Sequence, residues 1–63
     1  AESEVIVRMA ADERKVAAWS FVLEAIGVPH RLLGNESGTA IVVEAPFVGR
    51  AVAALAAHDR ESA

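Results

Sequence analysis

The residues best able to carry chemistry are two histidines and four serines, and their spacing forms no familiar site. No carboxylate stands at a ligand spacing from His30 or His58, so we expect no metal site. Instead, His58 is placed to complement the dipole at a helix C-terminus. None of the serines lies in a nucleophile-elbow pattern or has an obvious base as partner (Ser3, Ser20, Ser37 and Ser62). The chain is therefore expected to contain no catalytic serine.

Two pairs of carboxylates offer a second kind of chemistry, Asp12 with Glu13 and Asp59 with Glu61. Paired carboxylates act as acid and base when their surroundings separate their pKa values. A helix cap explains the first pair more simply, and a solvated tail explains the second. The glycines are not spaced as a phosphate-binding loop. We expect no enzyme activity and no cofactor, and no small-molecule ligand is evident from these residues.

Length and composition restrict the remaining function classes. The 63 residues provide one small domain, residues 1–63, with a small core, and the chain contains no cysteine. The net charge is −3, and the six lysines and arginines are scattered, which argues against a nucleic-acid partner. The apolar runs are much shorter than the roughly 20 residues that cross a membrane.

The first half of the chain predicts a strand followed by a helix. Residues 4–9 form a β-branched run in which alternation places Val5, Val7 and Met9 on one side of a strand. Asp12 is a good N-cap for a helix over about residues 12–26. Five side chains share one face of this helix and are predicted to enter the core (Val16, Trp19, Val22, Leu23 and Ile26).

Gly27 and Pro29 mark the turning point of the chain, since glycine closes helices in the left-handed conformation and proline prevents continuation. A second strand over residues 31–33, a hairpin loop over 34–38 and a third strand over 39–44 are predicted next. Pro46 suits the first turn of a second helix that reaches about Asp59, followed by a polar tail over 58–63. Its predicted inward residues are Phe47 or Val48, with Ala51, Val52 and Leu55.

These elements predict an α+β domain of order β-α-β-β-α. Right-handed crossover and a hairpin favour an antiparallel three-stranded sheet of order 1-3-2 with both helices on one face, a ferredoxin-like unit that lacks its last strand. The other sheet face is left uncovered, and both edge strands are unpaired. We predict that the uncovered face carries an apolar centre with charged neighbours and forms an interaction surface (Ile6, Arg8, Val42 and Glu44).

Phe21 is the other candidate for an interaction surface. On the helical wheel it lies beside Arg14, Ala17 and Ala25, away from the Trp19 stripe. The ring is either exposed or packed beneath the second helix, whose approach the small alanines permit. We favour packing, with exposure as the alternative.

The second half of the first helix and its end carry a resemblance. Residues 22–31 resemble the LEAxGIPxR segment of the N-terminal cytoplasmic domains that precede the membrane part of some bacterial rhomboid family proteins. Residues 50–61, from Arg50-Ala51 to His58-Asp59-Arg60-Glu61, are similar to the RAxxxLxxYxxEN ending of those domains. The same features also resemble small prokaryotic β-α-β-β-α domains described as signal-transducing proteins.

The rhomboid resemblance implies a fragment of a longer membrane protein, an intramembrane serine protease whose Ser and His dyad lies outside this chain. No position here matches the Gly-x-Ser motif, so no catalytic residue is transferred. The implied role is a non-catalytic accessory domain on the cytoplasmic face of the bacterial inner membrane. Its implied partners are the membrane-embedded remainder of its own chain and a second copy in a homodimer. The alternative is a signal-transducing or ligand- or protein-binding regulator unrelated to proteolysis.

Overall fold

The computed structural model describes residues 3–62 and has the expected α+β architecture. The elements are β1 (Glu4–Ala10), α1 (Glu13–Ala25), β2 (Arg31–Asn35), β3 (Gly38–Glu44), a 3-10 turn (Ala45–Phe47) and α2 (Val48–Ser62). The strands form an antiparallel sheet of order β1-β3-β2, which confirms the predicted topology. Both helices pack on β1 and β3 and against each other.

Helix α1 begins and ends as its sequence predicts. The Asp12 carboxylate accepts a hydrogen bond from the backbone N–H of Arg14 at 2.9 Å, satisfying one of the unpaired donors of the first turn. At the other end, Gly27 has a φ of 77° and donates to the Glu24 carbonyl at 3.1 Å. Val28 donates to the Leu23 carbonyl at 2.9 Å. These two bonds form a Schellman motif, and the accompanying apolar pair, Leu23 and Val28, is buried.

Replacing Gly27 with valine is expected to lower the free energy of unfolding by about 1–2 kcal/mol, because an L side chain is strained in the left-handed region. A Cβ at this position meets no atom within 4 Å, so the loss comes from the backbone alone. Gly27→Asn is the matched control and should lose less, since asparagine tolerates this conformation. Thermal unfolding followed by circular dichroism measures both. An unchanged midpoint for Gly27→Val would show that α1 ends elsewhere.

The hydrophobic core lies between the sheet and the two helices. Helix α1 contributes Val16, Trp19 and Leu23, as predicted from the wheel. Ile26, also predicted inward, is partly exposed because it lies at the cap, beyond the last turn. The other core residues come from the α1 terminus, β3 and α2 (Val28, Ile41, Val43, Ala51 and Leu55).

Strand β1 departs from simple alternation, and the prediction for its faces is wrong in part. Its register against β3 shifts between Ile6 and Arg8, which leaves Val7 as the extra residue of a β-bulge. Residues directly opposite each other in an antiparallel pair share a face. Because Arg8 lies opposite the core residue Ile41 and Met9 lies opposite Ala40, the bulge turns Arg8 toward the helices and Met9 away from them.

The hairpin and α2 show smaller differences. The strands extend to Asn35 and from Gly38, so the turn is shorter than predicted, and the Asn35 side-chain oxygen accepts from the N–H groups of Ser37 and Gly38 at 2.7 and 3.1 Å. Helix α2 reaches Ser62, so most of the predicted polar tail is helical, while Ala63 lies outside the described residues. Val52 is exposed, contrary to prediction, because it lies beside the stripe centred on Ala51 and Leu55.

Candidate functional site

The uncovered face of the sheet presents an apolar surface. The register places Ile6 and Met9 of β1 and Leu33 of β2 beside two small side chains of β3, Ala40 and Val42. The β3 residues are buried by their neighbours yet belong to no cluster with the helices. The three flanking side chains are about half exposed, Ile6 56%, Met9 51% and Leu33 46%. The predicted position of Ile6 and Val42 on this face is confirmed.

One end of this face is charged. Glu4 lies directly opposite Glu44, an arrangement of like charges that is unfavourable in a sheet. The guanidinium of Arg31 on β2 reaches across β3 to the Glu4 carboxylate, with Nη2 and Oε1 2.5 Å apart. The pair is largely exposed and therefore contributes little stability. It does fix opposite charges on the two edge strands of the same face.

Arg8 does not belong to the uncovered face, so the prediction that placed it there with Ile6 is wrong. Because of the bulge, its guanidinium lies 5.0 Å from the centre of the Trp19 ring, within range of a cation–π interaction. The same group donates two hydrogen bonds to the Asp59 carboxylate of α2, at 2.7 and 3.3 Å. Arg8 therefore joins β1 to both helices on the covered side.

Phe21 is exposed, and the favoured prediction that it packs beneath α2 is wrong. Its side chain is 72% exposed, the highest value among the large apolar residues of the described chain. It follows Trp19 and precedes Leu23 by two positions each, which places it on the opposite side of α1 from the core. Phe21 thus forms a separate surface and does not extend the apolar face of the sheet.

A groove of about 510 Å³ opens between the start of α1, the end of α2 and β1. Its lining includes three cationic side chains, Arg8, Arg14 and Lys15, together with His58 and a single carboxylate, Asp59. Trp19 and Ala18 supply its apolar wall. The sequence does not predict this site, because its residues are distant along the chain and simple alternation along β1 places Arg8 on the wrong face.

The charges of this groove act on Asp59. The hydrogen bonds from Arg8 lower the pKa of the Asp59 carboxyl below its ordinary value. Desolvation opposes this shift, while the positive charges of Arg8, His58 and Lys15 add to it. Asp59 is ionised at neutral pH, as an ordinary aspartate is, and its lowered pKa keeps it ionised and paired with Arg8 at more acidic pH.

Ser20 and His30 form a hydrogen bond that their separation along the sequence does not predict. Ser20 Oγ and His30 Nε2 are 2.7 Å apart, and His30 Nδ1 lies 3.0 Å from the Val28 carbonyl oxygen. Since a carbonyl only accepts, Nδ1 carries a proton, and in the neutral ring Nε2 accepts from the serine. The prediction that no serine has a base as partner is therefore wrong for Ser20.

This pair lacks the surroundings of a nucleophile. Ser20 lies in the middle of α1, where the neighbouring backbone N–H groups are engaged in the helix and cannot stabilise an oxyanion. Its geometry instead fastens the segment before β2 to α1. The only signal for this contact in the sequence is that Ser20 and His30 lie on either side of the end of α1. Their spacing alone does not show that the two side chains meet.

The remaining observations concern metals, membranes and known proteins. Within residues 3–62, no three His, Cys, Asp or Glu side chains are grouped closely enough to hold a metal ion. None of the helices in this described range is long and apolar enough to cross a membrane.

Comparison with family models, curated proteins and solved structures finds no match to this chain.

Proposed function

We propose that this chain is a non-catalytic interaction domain that joins two copies of itself through the uncovered face of its sheet. The observation that carries the proposal is the group of three half-exposed aliphatic side chains, Ile6, Met9 and Leu33, on a face without a helix. Scattered apolar residues are ordinary on a protein surface, whereas a grouped set marks a contact site.

The arrangement of residues on this face favours a second copy as the occupant. A two-fold axis parallel to the strands places β1 of one copy over β2 of the other. Met9 and Leu33 both lie at the level of Ala40, so Met9 of one copy meets Leu33 of the other across the interface. Glu4 on β1 then lies near Arg31 of the second copy, which gives the face charge complementarity with itself.

Sedimentation velocity over increasing concentration tests this proposal. One face of three short strands is smaller than the roughly 800 Å² that each partner buries in a standard interface, so the association should be weak and concentration-dependent. Met9→Lys should weaken it by about tenfold or more, because an apolar contact with Leu33 of the second copy is replaced with a lysine that has no partner there.

Phe21→Lys is the matched control for this measurement. It removes an even more exposed apolar side chain from a different surface and should leave the association unchanged. A chain that stays monomeric at all concentrations would contradict the proposal. Equal weakening by the two substitutions would contradict the assignment to the sheet face.

We further propose that this domain is accessory to a rhomboid-type intramembrane serine protease, whose serine-type endopeptidase activity resides in another part of the protein. Support comes from the sequence resemblance, whose first segment, residues 22–31, forms the Schellman stop and the start of β2. In this setting the domain lies at the cytoplasmic side of the membrane and favours dimers of the protease.

The gene sequence after residue 63 tests this origin. Several apolar segments of about 20 residues, one containing Gly-x-Ser and a later one containing a histidine, would support the protease. A stop codon would instead favour the alternative, a small binding regulator, for which the groove beside Trp19 is the supporting observation. The isolated chain is expected to show no turnover in a peptidase assay.

A further inference from the structure

We propose that the groove formed by Arg8, Arg14, Lys15, Ala18, Trp19, His58 and Asp59 binds a phosphate ester. Three of the chain's six lysines and arginines line this one groove, although the net charge of the chain is −3. A volume of about 510 Å³ lies within the range of small-molecule sites. The inference concerns a different surface from the sheet face and does not depend on dimerisation.

Two of these cations occupy positions that do not favour the stability of the fold. Arg14 and Lys15 stand in the first turn of α1, where the helix dipole is positive and basic side chains are disfavoured. Glu13 is the only acidic residue in that turn, and the Asp12 carboxylate already caps the Arg14 N–H. An anion in the groove offsets this repulsion, because it adds the negative charge that a helix N-terminus prefers.

The fixed part of the site is Arg8. Its guanidinium is held against the Trp19 ring and by the Asp59 carboxylate, so little conformational entropy remains to be lost when it binds a ligand. Arg14 and Lys15 are exposed and able to close on a phosphate from the other side. Asp59 neutralises one of the three positive charges, which leaves a net positive site for a doubly charged group.

The apolar part of the groove indicates an ester and not the bare ion. Ala18 and the 9% of Trp19 that remains exposed lie beside the cations and provide a small surface for a short carbon chain. A phosphomonoester with a glycerol-sized organic part combines both features. Such a group occurs in soluble metabolites and in the headgroups of phospholipids, and the experiment must distinguish these two sources.

Trp19 is the only tryptophan of the chain and lines the groove, so its fluorescence reports binding directly. The chain is titrated with glycerol 3-phosphate and with inorganic phosphate at constant ionic strength, using chloride as the reference anion. In a parallel arm, it is titrated with phosphatidylcholine vesicles that contain or lack phosphatidic acid. A saturable change with the ester, larger than the change with chloride, is expected.

Lys15→Gln and Arg14→Gln should each weaken binding by roughly tenfold, the effect of losing one charge-assisted hydrogen bond. Removing a cation from a helix N-terminus does not destabilise the helix, so weakened binding would not reflect unfolding. Arg50→Gln is the matched control, because Arg50 is an exposed cation of α2 outside the groove, and it should bind as the unmodified chain does.

The outcomes separate the sources and the alternatives. Saturation by glycerol 3-phosphate alone supports a soluble ester, and saturation only with vesicles containing phosphatidic acid supports a lipid headgroup. Either result supports the proposal only if Lys15→Gln weakens the binding and Arg50→Gln does not. Absence of a saturable response in both arms would overturn the proposal. Equal weakening by all three substitutions would also overturn it, since it would show attraction by net charge alone.

Discussion

Gly38→Ala is expected to destabilise the domain by about 2–4 kcal/mol, combining backbone strain with overpacking. Gly38 has a φ of 141°, and a Cβ there would lie 2.6 Å from the carbonyl oxygen of Ala10 and 3.0 Å from Cα of Ala11. These are backbone atoms at the end of β1, so they cannot move without disturbing its pairing with β3. In a domain of this size, the loss removes most of roughly 3–5 kcal/mol of stability.

Gly34→Ala in the same hairpin is the matched control for this prediction. A Cβ at Gly34 meets only Thr39 Oγ1, at an ordinary 3.8 Å, so the change should cost less than about 1 kcal/mol. Urea unfolding followed by the fluorescence of Trp19 measures both variants. Equal midpoints would show that the start of β3 does not approach the end of β1 as closely as the structure has it.

The fold could be predicted because its main signals are local. Asp12, Gly27 and Pro46 act through caps and helix starts whose geometry depends on a few neighbouring residues. With those boundaries in place, handedness and the hairpin leave few topologies for three strands and two helices. The order β1-β3-β2 follows from these constraints without any knowledge of long-range contacts.

The candidate sites were harder to predict because they depend on the register of β1. The run of β-branched residues contains no signal for the bulge at Val7. The bulge nevertheless exchanges the faces that simple alternation predicts for Arg8 and Met9. The alternation rule therefore assigned Arg8 to the apolar face and hid the groove beside Trp19. The same rule places Met9, one of the three half-exposed residues of the uncovered face, on the side of Val5 and Val7.

Phe21 and the Ser20–His30 pair show a second limit of sequence reasoning. A helical wheel places Phe21 away from the core stripe but does not show how far α2 extends over α1. Ser20 and His30 meet because the Schellman turn folds the chain back along α1. Contacts of this kind depend on where two elements lie in space, and the periodicity of either one alone does not determine them.

Leu23→Ala is expected to leave the chain largely unfolded at room temperature. Leu23 is completely buried and packs in the core that α1, β3 and α2 share. Truncating a buried leucine typically costs about 2–5 kcal/mol, through lost burial and the cavity that remains. Its loss also removes the apolar pair with Val28 that accompanies the helix stop, so the effect reaches the connection to β2.

Leu33→Ala is the matched control, measured at concentrations low enough to keep the chain monomeric. Leu33 is half exposed on the uncovered face, so its truncation should cost less than about 1 kcal/mol in urea unfolding. Leu23→Met, which nearly conserves volume, should retain the fold with a loss below about 1.5 kcal/mol. If Leu23→Ala and Leu33→Ala unfolded at the same urea concentration, α1 would not pack on the sheet through this stripe. Either sheet face would then be equally available to a partner, and the uncovered face would lose its distinct role.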